Sequence, residues 1–414
     1  MPIQKIILHI DFDSFFASCE QQFNPLLRDK PIGVIAQNGR TCIIAASRQA
    51  KKLGIKPPSR TFEALKIVPD MIFVPASFQK YWQITQKFLN ICKDYSPYVE
   101  LFSLDEVFMD ITQTESLFGG KYQLIEKIKE RIRIEIGEYV TVSVGVSYNK
   151  LLAKLGSGMN KPNGIFEITP QNLDQVYQKT KLTDICGIGE RMALRLNKLE
   201  IYTLLQLRNY DNNILRIEFG NAYFQFLKNT SIGKDGSAVI PYYEIQKIKS
   251  ISRSYCLPKN EYDKRIILQN LYELCEEVSI KLRRLDKKAR TVSFYLSGSI
   301  KIQKRKTYAF YFDTGKEIFK HCLDLMREED FTNNYIRQIN IWTANFATKN
   351  NLQMSLFDTP KNEKLIKIVD TINNRFGDHT IRNGFLLHAD KLTTVPNGYM
   401  ADRYEREKLS KSLN

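Results

Sequence analysis

His9-Ile10-Asp11-Phe12-Asp13-Ser14-Phe15-Phe16-Ala17-Ser18-Cys19-Glu20 is the stretch that decides the fold. The apolar run from Lys5 to Asp11 reads as a buried strand, and Ser14 to Gln22 as the short helix after it. An acid at the end of a buried strand is costly unless it is paired or metal-bound. A second acidic group, Ser103-Leu104-Asp105-Glu106, lies in a turn between strand candidates Tyr98 to Phe102 and Val107 to Ile111. Acids gathered at adjacent strand ends suit phosphoryl-type transfer, in which two cations about 3.5–4 Å apart bridge the attacking and leaving oxygens. Asp13 directly precedes the helix and is expected to cap it.

Composition narrows the chemistry. With 414 residues the chain is too long for one core and divides into several domains. Hydrophobic content of 43% and charged content of 26% are those of an ordinary globular protein, and no apolar run reaches bilayer length. The N-terminus reads as a first strand and not a signal peptide, and the seven scattered cysteines, odd in number, read as reduced thiols; a cytoplasmic protein is expected. Only four histidines are present, so metal chemistry falls to carboxylates, which favours magnesium over zinc. The formal net charge of +16 favours a polyanionic partner.

Further strands are read at Pro31 to Ile35, Cys42 to Ala45, Val140 to Val146 and Gly164 to Ile168. Helices are read at Ser47 to Leu53, Ser77 to Asp94, Tyr122 to Ile136 and Lys150 to Ser157, with a break at Pro57-Pro58. Strands alternating with helices on a sheet that collects acids give a palm-like core. Pro170 to Gly236 is all helical. Glu244 to Phe346 has the order strand, helix, strand, strand, helix, strand of a split βαβ domain. The strands there are Ile248 to Leu257, Thr291 to Leu296, Lys306 to Phe312 and Ile336 to Phe346.

The motifs together resemble those of Y-family translesion DNA polymerases. Asp11 to Glu20 is similar to the family's opening motif, Ser103 to Glu106 to its second carboxylate motif, and Ser143 to Ser147 with Asn149-Lys150 and Asn160 to Gly164 to its third. The resemblance spans nearly the whole chain and implies an α+β multidomain, right-hand polymerase. Its parts would be a palm (1–12 and 76–168), fingers (13–75), a helical thumb with a helix-hairpin-helix (169–236), a split-βαβ little finger (244–347) and a tail with a clamp-binding motif (348–414).

What the resemblance implies about the site follows residue by residue. Asp11, Asp105 and Glu106 would be the catalytic carboxylates holding two magnesium ions, with the Phe12 carbonyl as a backbone ligand. Phe16 falls where the family keeps a ring against the sugar 2′ position. Phe15 is counted beside it among the nucleotide contacts, although it is the more core-like of the two. Arg48, Lys51 and Lys161 would grip the triphosphate; the family commonly has Tyr and Arg where this chain has Arg48 and Lys51, so the bidentate fork moves to another position. Asp184 to Gly189, with Arg191, is similar to a helix-hairpin-helix turn in which Gly187 and Gly189 let backbone amides meet a DNA phosphate. Arg253, Arg284 and Lys304 stand for a basic third domain that tracks the duplex.

Gln353-Met354-Ser355-Leu356-Phe357 resembles the bacterial sliding-clamp motif, with Gln353, Leu356 and Phe357 as its anchors. Ser250 to Tyr255 and Val369 to Gly377 look like the UmuC-like branch, whereas Phe16 and the Asp-Phe-Asp opening look DinB-like. The implied partners are primer-template DNA, dNTP and the clamp; a need for a UmuD-like protein or a recombinase filament stays open. The implied activity is translesion synthesis in DNA repair and SOS damage tolerance, without proofreading. A catalytically inactive DNA-binding adaptor would have lost a carboxylate, and all three are present. A nucleotidyl cyclase would share the palm but not the helix-hairpin-helix, the basic third domain or the clamp peptide.

Overall fold

The computed structural model describes residues 5–36, 42–244, 248–327, 329, 333–348, 360–377 and 380–387. They fall into two compact units, Met1–Ile245 and Gln246–Val395. Along the first unit the chain forms β1 (Ile7–Phe12), α1 (Phe15–Phe23), β2 (Ile32–Ile35), β3 (Cys42–Ala46) and α2 (Arg48–Lys52), then β4 (Ser59–Arg60), α3 (Thr61–Ile67), β5 (Ile72–Pro75) and α4 (Phe78–Lys93). It continues through β6 (Val99–Leu101), β7 (Glu106–Asp110), α5 (Lys121–Glu135), β8 (Val142–Ser147), α6 (Lys150–Met159) and β9 (Ile165–Glu167). Helices α7 (Leu173–Lys179), α8 (Glu190–Asn197), α9 (Leu204–Asn209) and α10 (Asn212–Ser231) complete it.

The central sheet has the order β6-β7-β1-β8-β9, with β1 antiparallel to both neighbours. Strand alternation splits β1 into two faces. Leu8, Ile10 and Phe12 point into a dry layer, where the Phe12 ring meets Phe88 of α4 at 4.5 Å. His9 and Asp11 point to the other face, against which α6 packs. Gly145 permits that packing: a Cβ there would overlap the Ala153 carbonyl and the Ser157 amide of α6.

A second, smaller sheet of order β4-β3-β2-β5 lies within residues 32–75. Strands β2 and β3 and helix α2 are as expected from the sequence, whereas residues 59–75 form elements that no local pattern announces. Strand β4 has only two residues, too few for a period, and β5 is a four-residue run recognisable by its parallel pairing with β2. After the helical section the chain returns to the central sheet. Asn149 donates to the Gly233 carbonyl at 2.8 Å, and buried Lys150 pairs with Glu100 at 2.7 Å. Glu100 also accepts from the Ile240 amide at 2.8 Å, and Val239 is buried beside Ile7, Phe108 and Ala153.

The second unit forms β10 (Ser250–Glu261), α11 (Lys264–Arg284), β11 (Lys287–Gly298), β12 (Lys301–Phe312), α12 (Gly315–Met326) and β13 (Ile336–Thr348), then α13 (Pro360–Phe376). Its sheet order is β10-β13-β11-β12, every neighbour antiparallel. Each helix-linked pair, β10 with β11 and β12 with β13, therefore flanks one intervening strand, which is the split βαβ arrangement read from the sequence. The β11–β12 hairpin is longer than expected because its solvent-facing ends are charged, which hides the apolar alternation. Both helices cover one face, over Phe294, Leu296, Ile339 and Ile341. Part of the segment read as a tail is built into this unit. Arg283 makes a bidentate pair with Asp370 of α13, both contacts 2.7 Å, and Leu386 enters the core. The clamp-like peptide Gln353 to Phe357 lies outside the described residues.

Gly145→Ala forces α6 off the sheet, so the first unit should lose about 3 kcal/mol of stability. Thermal or urea unfolding measures this, and a wild-type midpoint would contradict the packing described.

Candidate active site

The sheet register brings the separated acids together. Asp11 of β1 is the cross-strand partner of Glu106 of β7, so both side chains leave the same face. The Phe12 amide donates to the Asp105 carbonyl at 2.9 Å, which sets the preceding turn against the end of β1. The charges are compensated within the chain. The Lys161 ammonium sits on Asp11 Oδ2 and the Lys154 ammonium on Glu106 Oε2, while the Ser103 hydroxyl holds Asp105 Oδ1. Among the described residues no three His, Cys, Asp or Glu side chains converge to hold one metal ion in this arrangement.

The environment pushes the two acids of the turn in opposite directions. Burial raises the Asp105 pKa, opposed by the Ser103 hydrogen bond and reinforced by neighbouring Glu106. Burial works the same way on Glu106, but hydrogen bonds and charge from His9 and Lys154 outweigh it and hold that carboxyl at about 2. Burial lowers His9 to about 4, so at neutral pH a neutral imidazole faces an ionised Glu106. The ammonium groups of Lys161 and Lys51 are also lowered by burial.

Asp13 does not cap α1. The residue before that helix, Ser14, makes no side-chain cap, and Asp13 instead joins three segments. Its Oδ2 accepts from the Thr141 hydroxyl (2.7 Å) and the Asn163 amide (2.8 Å), and its Oδ1 from the Ser143 hydroxyl (2.7 Å). The turns it pins are left-handed at Ser14 (φ 55) and Asn163 (φ 57). Non-glycine residues hold such backbone where their surroundings over-determine it. Asp13 thus fixes both the start of α1 and the loop carrying Lys161.

The triphosphate candidates gather at the same junction. Arg48 of α2 donates to Thr141 and lies 3.9 Å from Asp13, while Lys51 one turn on donates to the Ser14 hydroxyl at 2.9 Å. Phe16 is half-buried and stacks on Tyr81 of α4 with centroids 4.6 Å apart. Tyr81 is itself fixed by a 2.6 Å hydrogen bond to buried Glu20. Phe15 is 4% exposed and stacked on Phe12, so its ring is core and offers no face to a nucleotide. His9, Ser157 and Lys154 are not among the residues the sequence motifs mark. The two-residue spacing of His9 and Asp11 on one strand was the available signal.

Elsewhere, Ile185 and Ile188 bury themselves around the turn before α8 and leave Gly187, Gly189 and Arg191 exposed. Gly187 has φ +100, a conformation that favours glycine. In the second unit the register sets where the expected basic contacts lie. Arg253, Ile341, Phe294 and Lys304 form one cross-strand row on the helix-covered face. Arg253 pairs there with Glu277 at 3.0 Å and Lys304 with Glu329 at 2.6 Å. Arg284 is exposed and bonds Asn374 of α13 at 3.0 Å. Lys301 and Arg305 are exposed on the opposite face of that sheet.

The impB/mucB/samB family matches residues 10–158, and its C-terminal domain matches residues 248–356. A protein of Pelotomaculum thermopropionicum named DNA polymerase IV is 31% identical over 402 residues, 96% of this chain and 97% of that one. The DNA polymerase IV of Acetivibrio thermocellus is 30% identical, over 95% of this chain and all of its own. A solved Y-family DNA polymerase chimera superimposes with a TM-score of 0.70 at 27% identity, covering 83% of this chain and 100% of the chimera. Sheet, carboxylates and matches together define an α+β multidomain DNA-directed DNA polymerase. The chain belongs to the impB/mucB/samB family of Y-family translesion polymerases, on its DinB-like side. The UmuC-like character of residues 250–255 and 369–377 therefore does not set the branch. No helix of the described residues is long and apolar enough to cross a membrane.

Asp13→Ala removes three hydrogen bonds to a buried carboxylate and should cost at least about 3 kcal/mol. Denaturant unfolding reads the loss, and a change below about 0.5 kcal/mol would contradict the junction role.

Proposed function

We propose that this polymerase extends a primer by two-metal nucleotidyl transfer at Asp11, Asp105 and Glu106, copying past damaged template bases in DNA repair and SOS damage tolerance without proofreading. The observation that carries the reading is the Asp11–Glu106 register, in which each of two buried-rim carboxylates is compensated by a lysine ammonium. Such a donor set, all oxygen and anionic, suits magnesium. The three carboxylates and the Phe12 carbonyl would hold the ions. Magnesium bound there would activate the primer hydroxyl and neutralise charge on the triphosphate and departing pyrophosphate.

The chain's own residues supply the rest. Lys161 and Lys154 are the cations that must be displaced before the carboxylates can bind metal. Lys161, freed from Asp11, is placed to take the triphosphate from the palm side. Arg48 and Lys51 take it from α2, Arg48 by its planar fork and Lys51 as a point charge. Phe16, braced by Tyr81, would meet the sugar at its 2′ position and exclude a ribose hydroxyl.

By this reading the central sheet is the palm (1–12 and 76–168), the small sheet with α2 and α3 the fingers (13–75), and α7 to α10 the thumb (169–236). The second sheet would be the little finger (244–347). The exposed amides and Arg191 around Gly187 and Gly189 would meet one stretch of duplex backbone, and Lys301 and Arg305 another, both without regard to sequence. Gln353, Leu356 and Phe357 would dock a bacterial sliding clamp.

Asp105→Ala or Asp11→Ala should lower primer extension by on the order of 100-fold or more while sparing DNA binding. A variant that keeps most of its extension rate sinks the metal assignment. Phe16→Ala should relax discrimination against ribonucleotides by roughly 10- to 100-fold. Single-nucleotide incorporation with dNTP and rNTP measures it, and an unchanged ratio would exclude Phe16 as the sugar gate.

A further inference from the structure

Behind Glu106 lies a buried polar chain that neither the carboxylates nor the triphosphate contacts require. His9 is 1% exposed and Ser157 is 3% exposed, in an otherwise packed layer between β1 and α6. His9 Nε2 is 2.8 Å from Glu106 Oε2, and His9 Nδ1 is 2.7 Å from the Ser157 hydroxyl. An ionised carboxylate only accepts, so the bond to Glu106 is donated by Nε2. The Ser157 hydroxyl faces both Nδ1 and the Lys154 carbonyl, at 2.7 and 2.8 Å, and so ties the imidazole to the helix that bears Lys154. The ring is fixed on its other side by Phe108, centroids 4.5 Å apart. Burying this much polarity in a core is unfavourable without partners, and each side chain of this row has one within hydrogen-bond distance.

The two donors on Glu106 differ in kind. His9 and Lys154 both reach Oε2, His9 from the core and Lys154 from the rim, where its side chain is 28% exposed. A flexible ammonium at the rim can leave when the carboxylate takes another cation. A buried imidazole locked by Ser157 and Phe108 cannot. Outer partners of this type orient a ligand and raise its affinity for metal.

We propose that His9, held by Ser157, is a positioning residue that fixes the Glu106 carboxylate for the incoming cation. The proposal rests on the reading of Glu106 as a ligand. His9→Phe keeps a flat apolar ring but removes the donor; His9→Gln restores an N–H in reach of Oε2; Ser157→Ala removes only the lock. The experiment is Mn2+ binding to the full chain with dNTP and a dideoxy-terminated primer-template, followed by calorimetry, alongside kcat and KM for dNTP on an extendable primer. His9→Phe should weaken Mn2+ by about 10-fold and lower kcat similarly, with KM for dNTP within about twofold. His9→Gln should recover most of that loss, and Ser157→Ala should fall between.

A merely structural histidine would lower the melting temperature and leave Mn2+ affinity unchanged, with His9→Gln no better than His9→Phe; that result overturns the proposal. If His9→Phe does not fold, Ser157→Ala decides, and wild-type Mn2+ affinity in it counts against the positioning role. Glu106→Ala separates the two levels. Undiminished Mn2+ binding there removes Glu106 as a ligand altogether, whereas its loss alongside an unaffected His9→Phe removes only the role of His9.

Discussion

The antiparallel register that sets Asp11 opposite Glu106 is the constraint on which the rest of the molecule depends. Two carboxylates at a half-buried rim repel each other and lose hydration, so something positive must stand beside them. In this chain the positive groups are Lys161 and Lys154, one on each acid. The proposed metal site would give those lysines a second meaning, as stand-ins for cations that arrive with the nucleotide.

The surrounding fold keeps that rim in place. Leu8, Ile10 and Phe12 anchor β1 in the dry layer, so its alternate residues have no choice but to face α6. Gly145 lets α6 lie close enough for Lys154 and Ser157 to reach the acids' side of the sheet. Asp13 fastens the turn into α1 to the loop of Lys161, so the helix bearing Phe16 and the lysine on Asp11 share one anchor. The Lys150–Glu100 pair ties the chain leaving the helical section back to the same sheet.

Much of this was legible in the residues. Asp11 stands out because an apolar strand that ends in a charge needs an explanation, Asp105 and Glu106 because two acids share one turn between strands, and the βαββαβ order of the second unit follows from its alternating patterns. What escaped was tertiary. Asp13 looked like a helix cap, since local spacing favours that role, but the neighbouring strand and the Asn163 loop competed for it and won. For Arg253 and Lys304 a sequence shows charge and not which face of a sheet it leaves; pairing with Ile341 and Phe294 puts both on the covered side. The role of His9 is not legible locally, because its partners lie 97 and 148 residues away. The short β4 and β5 carry no period of their own and exist by pairing with β3 and β2.

The central claim is that the carboxylates exchange lysine for metal. A crystal structure of the full chain with primer-template, a non-hydrolysable dNTP and magnesium tests it most directly. The account predicts ions on Asp11, Asp105, Glu106 and the Phe12 carbonyl, with Lys161 moved to the triphosphate. Lys161 and Lys154 still seated on Asp11 and Glu106, with the nucleotide and its magnesium bound elsewhere, would contradict it.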